Sequence, residues 1–129
     1  MPTIDHFELP VDDIARAQKF YSELLGWQFQ TQKYTDFEYT FIKTQTLDGK
    51  PGLGGGMMLR QNPGHIPANY VSVESIDATL EKALALGAKV ILPKQPVADM
   101  GFIALILDTE NNPIGFWEST PTSSPESQV

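Results

Sequence analysis

His6 and Glu8 are the pair in this 129-residue chain whose types and spacing most directly suggest chemistry. They stand two apart in the segment Ile4-Asp5-His6-Phe7-Glu8-Leu9-Pro10-Val11. Side chains alternate between the faces of a strand, so on a strand both would leave the same side. Phe7 and Leu9 then take the opposite face, the one a covering helix must bury. An imidazole beside a carboxylate is an acid–base pair: hydrogen bonding orients the ring, and the nearby negative charge is expected to raise its pKa. The same two groups could instead form a structural hydrogen-bonded pair, because buried polar side chains normally find partners. His65, the other histidine, lies in Gln61-Asn62-Pro63-Gly64-His65-Ile66-Pro67, a turn-rich stretch with no strand to aim it.

The elements that must position these residues come in two similar series. Val11-Asp12-Asp13-Ile14 is echoed by Val73-Glu74-Ser75-Ile76, about 60 residues later, which fits a duplicated module. In the first half, Ile4 to Val11 reads as a strand, and Asp12 or Asp13 can cap the helix that follows. Ile14, Ala17, Tyr21, Leu24 and Leu25 recur at helical spacing with Phe20 alongside, and Gly26 permits the turn that ends the helix. Trp27 to Thr31 alternates with period two. Phe37, Tyr39 and Phe41 mark a third strand and Met57 to Arg60 a fourth, after the turn chemistry of Asp48 to Gly52.

Residues 61–67 read as the linker between halves. Beyond it the order repeats. Tyr70 to Val73 is a strand, Ser75 caps a helix carrying Ile76, Leu80, Ala83 and Leu84, and Gly87 closes it. Lys89 to Leu92 is the next strand. Phe102 to Leu107 is continuously apolar, as for a strand covered on both faces. Ile114 to Glu118 is the last. Residues 121–129 are Ser, Thr and Pro with few apolar groups and read as a flexible tail.

Composition removes several function classes. Sixteen acidic residues against nine basic ones leave a net charge of −7. Scattered lysines and arginines do not make a nucleic-acid surface, and a negative chain is not drawn to acidic lipid. With no cysteine, thiolate zinc sites, disulfides and cysteine nucleophiles are excluded. The first residues lack the basic and apolar blocks of a secretion signal, and no apolar run approaches the ~20 residues that span a bilayer; a cytoplasmic protein is expected. The Gly52-Leu53-Gly54-Gly55-Gly56 run lacks the Lys-Ser/Thr ending and the following helix of a phosphate loop. It reads as a flexible loop ahead of the strand that starts at Met57.

The element order, the Val-x-Asp helix start and the closing Asp108-Thr109-Glu110-Asn111-Asn112-Pro113-Ile114-Gly115-Phe116 resemble the vicinal oxygen chelate superfamily. This group holds glyoxalase I, bleomycin-resistance proteins, fosfomycin-modifying enzymes and extradiol dioxygenases. His6-Phe7-Glu8-Leu9-Pro10-Val11-Asp12-Asp13, Phe20-Tyr21, Leu25-Gly26-Trp27, the Gly54 to Met57 run and Gly115-Phe116-Trp117 are similar to a glyoxalase-like branch of unassigned activity. The resemblance covers roughly residues 4 to 118. It implies an α+β fold: two tandem βαβββ modules forming curled mixed sheets, module one at about 3–61 and module two at about 68–119, in a single domain of residues 1–120.

The resemblance also implies where a metal would sit, on one side chain from the first and last strand of each half. His6 falls on the first of those positions. The second falls at Gly56-Met57, the third near Ala68 or Asn69, and the fourth on Gly115, so one ligand of four is kept. No cofactor is therefore expected, and a divalent ion would have His6 as its one matched ligand. His6 and Glu8 are the expected catalytic pair. Tyr70 and Ser72 share a face directed to the ligand side, where Tyr70 could donate to a ligand oxygen or be core with a satisfied hydroxyl. Trp117 shares that of Gly115, as a stacking wall or as core packing, and Met57 fills space near the pocket floor or a subunit contact; these four are the expected ligand-binding residues. Two functions stand open: a metal-independent lyase or isomerase acting on a small oxygenated molecule, and a module that binds and sequesters a small molecule without chemistry. Exposed strand edges and apolar surface suggest a homodimer.

Overall fold

The structure is a computed structural model, and it describes residues 1–35 and 37–120. The tail assigned to 121–129 lies outside the described residues. The described chain runs β1 (Ile4–Val11), α1 (Ile14–Leu25), β2 (Gln28–Lys33), β3 (Glu38–Lys43), β4 (Gly54–Leu59), β5 (Ala68–Ser72), α2 (Ile76–Ala85), β6 (Lys89–Val97), β7 (Gly101–Leu107) and β8 (Pro113–Ser119). This is the expected α+β order of two βαβββ modules. It falls into two compact units, residues 5–68 and residues 69 onward with the first four.

Within module one the strands lie in the order β2-β3-β4-β1. β1 and β4 are parallel, with Glu8 opposite Gly56 and Leu9 opposite Met57, and the other pairs are antiparallel. Parallel neighbours need a long crossover, which α1 and the β2-β3 hairpin supply. Of the two aspartates that could cap α1, Asp13 does so: its carboxylate accepts from the Arg16 amide at 2.9 Å. Gly26, at φ 74°, closes the helix in the left-handed conformation. The face of β1 opposite His6 is held by rings. Phe7 lies 5.7 Å from Trp27, and Trp27 stacks on Tyr21 of α1 at 5.0 Å.

The glycine run departs from expectation. Gly54, Gly55 and Gly56 are strand residues of β4, not a flexible loop. Glycine is required at Gly55 and Gly56 because rings cover the two faces. A methyl group at Gly55 would meet the Phe7 ring at 2.5 Å, and one at Gly56 would meet the Tyr39 hydroxyl at 1.5 Å. Periodicity scales count glycine as a strand breaker and cannot register this close approach.

Module two repeats the order as β5-β8-β7-β6, with β5 and β8 parallel. Ser75 caps α2 by accepting from Ala78 N at 3.1 Å, and Glu118 on β8 accepts from Ile76 N at 2.7 Å. Two anionic or polar oxygens thus serve the open amides of one helix start. The core is Ile76, Ala104, Ile106 and Phe116, with Val71, Val73, Leu80 and Ala83 packed around it. β7 is buried at Ala104 and Ile106, while Ile103 and Leu105 on its other face are half-buried. β6 continues past Leu92 to Val97 despite Pro93 and Pro96. It lies at the end of its module's strand order, where a missing N–H costs no ladder bond.

Candidate functional site

His6 and Glu8 do leave one face of β1, and a third residue joins them. The Tyr39 hydroxyl donates to Glu8 Oε2 at 2.8 Å, and His6 Nε2 stands 2.8 Å from that hydroxyl oxygen. A phenol has one proton, so with that proton directed at Glu8 its oxygen accepts from His6 Nε2–H. This arrangement places the imidazole proton on Nε2 and leaves Nδ1 as a lone-pair acceptor. All three residues are half-buried.

Tyr39 reaches this position because of the sheet register. It sits on β3, 33 residues from His6, and Phe41, two residues on, pairs with Gly56. The absent side chain at Gly56 is the space through which the Tyr39 ring crosses β4 toward β1. Phe41 meets Tyr39 edge-on at 4.9 Å and supports the ring. Alternation of Phe37, Tyr39 and Phe41 predicts the strand, but the contact with His6 needs the long-range register; Tyr39 is the site residue that sequence reasoning missed.

The electrostatics differ from expectation. The pKa of His6 is pushed below its usual 6.5, first by burial, with the charge of Asp5 partly opposing. Removing the ring from water disfavours the imidazolium more than neighbouring negative charge restores it. His6 is thus held neutral near pH 7, the form that the donor–acceptor order above requires.

The other expected site residues divide. Met57 is wholly buried and belongs to the core. It leaves the opposite face of β4 from Gly56, so it does not line the Tyr39 side. Tyr70, Ser72 and Trp117 lie in module two. Tyr70 pairs with Gly115 and Ser72 with Trp117, and in-register parallel neighbours share a face. Tyr70 is buried, and its ring fills the space above Gly115, where a methyl group would meet it at 2.3 Å. Ser72 is exposed. The Trp117 indole donates to Ser119 Oγ at 3.0 Å and lies against Gly101. Glu118 caps α2 and points away from that face. His65 accepts from Gln61 N through Nδ1, while Arg60 donates to the His65 carbonyl at 2.7 Å; the histidine shapes the linker turn.

The donor set does not fit the metal that the family resemblance implies. Two of its four positions are Gly56 and Gly115, and tyrosine rings occupy the space where ligand side chains would project. Among the described residues, no three His, Asp or Glu groups converge to hold an ion. Also among the described residues, no helix is long and apolar enough to cross a membrane.

Residues 3–44 match the family described as bleomycin resistance protein-like N-terminal. CFP32 of Mycobacterium bovis and Mycobacterium tuberculosis, provisionally named a glyoxylase, is 25% identical over 115 residues, 87% of this chain. The chain spans 44% of the length of those mycobacterial relatives. A glyoxylase-like domain-containing protein of Didymella fabae is 31% identical over 88 residues, covering 67% of this chain and 69% of its own. Among solved structures, a glyoxalase/bleomycin resistance protein/dioxygenase superfamily member from Vibrio splendidus has a TM-score of 0.61 at 16% identity, covering 92% of this chain and all of its own. The Streptomyces coelicolor methylmalonyl-CoA epimerase, in complex with 2-nitronate-propionyl-CoA, has a TM-score of 0.64 at 15% identity, covering 91% of this chain and 96% of its own. The two βαβββ modules and these likenesses together make the chain a glyoxalase-like member of the vicinal oxygen chelate superfamily.

Proposed function

We propose that this chain is a metal-independent lyase or isomerase acting on a small oxygenated molecule, with His6, Tyr39 and Glu8 moving the proton. One observation carries the reading: a single phenolic oxygen held at 2.8 Å by an imidazole and at 2.8 Å by a carboxylate, in a half-buried setting. Three groups of different acidity in series can take up and return a proton without a free hydronium ion. In the isomerase form, a C–H next to a carbonyl gives its proton to Glu8 and its electron pair passes to the carbonyl oxygen. When that carbon bears a hydroxyl, Glu8 then returns its proton to the former carbonyl carbon while the hydroxyl proton passes to the other oxygen, which leaves the carbonyl on the neighbouring carbon. No oxidant or reductant is consumed. Tyr39, aligned by His6, holds Glu8 through its single proton, and once Glu8 has taken the substrate proton that phenolic proton can turn to the developing negative charge. Within module two, Tyr70, Ser72 and Trp117 are proposed as ligand-contacting residues, and the protein is proposed to act as a cytoplasmic homodimer.

Deuterium exchange tests the proposal. Lactaldehyde, dihydroxyacetone and 2-oxobutyrate incubated with the protein in D2O should lose a C–H proton signal in at least one case. Tyr39→Phe should slow that exchange by roughly a hundredfold, the usual scale of acid–base assistance, with the fold retained. Equal exchange by both proteins would overturn the assignment. The match to a bleomycin resistance protein-like family favours a second reading, in which the same groups bind a ligand without turning it over. Saturable binding with no exchange by the unmodified protein would select that alternative.

A further inference from the structure

We infer that Lys43 and the bare strand at Gly54 form an anion-binding subsite beside the His6–Tyr39–Glu8 relay, and that the molecule handled there carries a carboxylate. The inference rests on the relay being the working site.

The register brings the groups together. β1 pairs His6 with Gly54, and β2 pairs Gln28 with Lys43. Phe41 pairs with Gly56 and Ile42 with Gly55, so the next step along the β3-β4 ladder sets Lys43 beside Gly54. Lys43 has the parity of Tyr39 and Phe41 and so shares their face, the face of His6 and Glu8. His6, Gly54, Lys43 and Gln28 therefore form one row across four adjacent strands.

That row has a gap. A methyl group placed on Gly54 would meet only the Ile42 carbonyl oxygen, at an unstrained 3.7 Å, in contrast to the ring-filled space above Gly55 and Gly56. Strands are spaced by about 4.8 Å, so His6 and Lys43 flank an opening roughly 10 Å across at the backbone. A planar carboxylate fits there. Lys43 is exposed, and among the described residues it joins none of the ion pairs, which engage Lys19, Lys33, Lys50, Arg60 and Lys94. Along the sheet the next row holds Glu8, Gly56 and Phe41. A ligand with its carboxylate on Lys43 would direct the adjoining carbon toward Glu8 and lay its body against Phe41 and Tyr39. Glu8, hydrogen-bonded to Tyr39, is the anion nearest that carbon and disfavours a second negative group at that end. One charge at the Lys43 end and a neutral reacting end is the class of ligand this row accepts.

Benzoate and benzamide, equal in shape and different in charge, are the probes. Titrated at constant ionic strength into the 15N-labelled full chain, benzoate should shift the Gly54 and Gly56 amides saturably. Benzamide should bind at least about fivefold more weakly, as expected for loss of a charge-assisted contact. Lys43→Gln should bring benzoate to the affinity of benzamide, and Gly54→Val should weaken both by filling the gap. Equal binding of the two probes, an unchanged benzoate affinity in Lys43→Gln, or no saturable shift at Gly54 would overturn the subsite. If benzoate binding needs Tyr39 and ignores Lys43, the subsite fails and the relay reading stands. If it needs Lys43 while Tyr39→Phe leaves deuterium exchange unchanged, the subsite stands and the relay reading fails.

Discussion

The two modules share one design and use it differently. Each carries a glycine at the same place in its fourth strand, Gly56 or Gly115, and each lays a tyrosine ring over it, Tyr39 or Tyr70. In module one the ring comes from β3 and its hydroxyl meets His6 and Glu8. In module two the ring comes from β5, directly beside Gly115, and is buried. The helices differ in the opposite sense. α2 contributes Ile76, with no exposed surface, to a continuous core, whereas α1 buries no residue completely and leaves Phe20, Leu24 and Leu25 exposed. One module concentrates packing and the other concentrates ionisable groups. Polar groups in a half-buried wall take the place of apolar packing there.

Four measurements would break or sharpen that contrast. The largest effect is expected at the core of module two: Ile76→Ala should cost about 2–5 kcal/mol in urea unfolding, transfer plus cavity terms together. A cost below that range would mean that α2 is no better anchored than α1. Gly56→Ala should come next, because its methyl group displaces the Tyr39 hydroxyl. Exchange activity should fall roughly a hundredfold, equivalent to about 2.7 kcal/mol, with a smaller loss of stability. Unchanged activity would show that the hydroxyl need not lie over Gly56. Glu118→Ala removes one acceptor from the start of α2 and should cost about 1 kcal/mol in the same unfolding assay. At the small end, Leu24→Ala on the exposed face of α1 should stay within about 0.5 kcal/mol. A distinctly larger, concentration-dependent cost would mean that a second copy covers that face.

Acidification tests module one by a separate route. Burial holds the His6 pKa below the usual 6.5, and burial with the charge of Arg60 lowers that of His65. The unfolded chain therefore takes up these protons first as the pH falls. The stability contributed by keeping the rings neutral is complete above about pH 6.5 and declines as the pH drops through the folded-state values. Thermal midpoints from pH 8 to 5 should fall on the acid side, and His6→Gln should flatten part of that fall. A midpoint that rises on acidification would reverse the assigned sign.

How much of the site was legible in the chain follows from the range of each interaction. The helix starts at Asp13 and Ser75 and the helix ends at Gly26 and Gly87 are local, and their residue types announce them. The shared face of His6 and Glu8 is also local, since it needs only a strand's alternation. The face that Met57 takes is not local: it follows from the register that pairs it with Leu9, and a one-residue change of register exchanges the faces of a strand. The meaning of the glycine run depended on Phe7 and Tyr39, which approach from two other strands.

The amino-acid sequence by itself therefore determined the two βαβββ series, their caps and the alternation that brings His6 and Glu8 to one face. These are consequences of periods and side-chain chemistry within a few residues. Tertiary structure alone decided that Tyr39 would bridge them, that Gly54 to Gly56 would be a strand, and that burial would outweigh nearby charge at His6. Each depends on a parallel pairing between β1 and β4 whose partners lie far apart in the chain. Local periodicity carries no information about that register, and only the packed sheet fixes it.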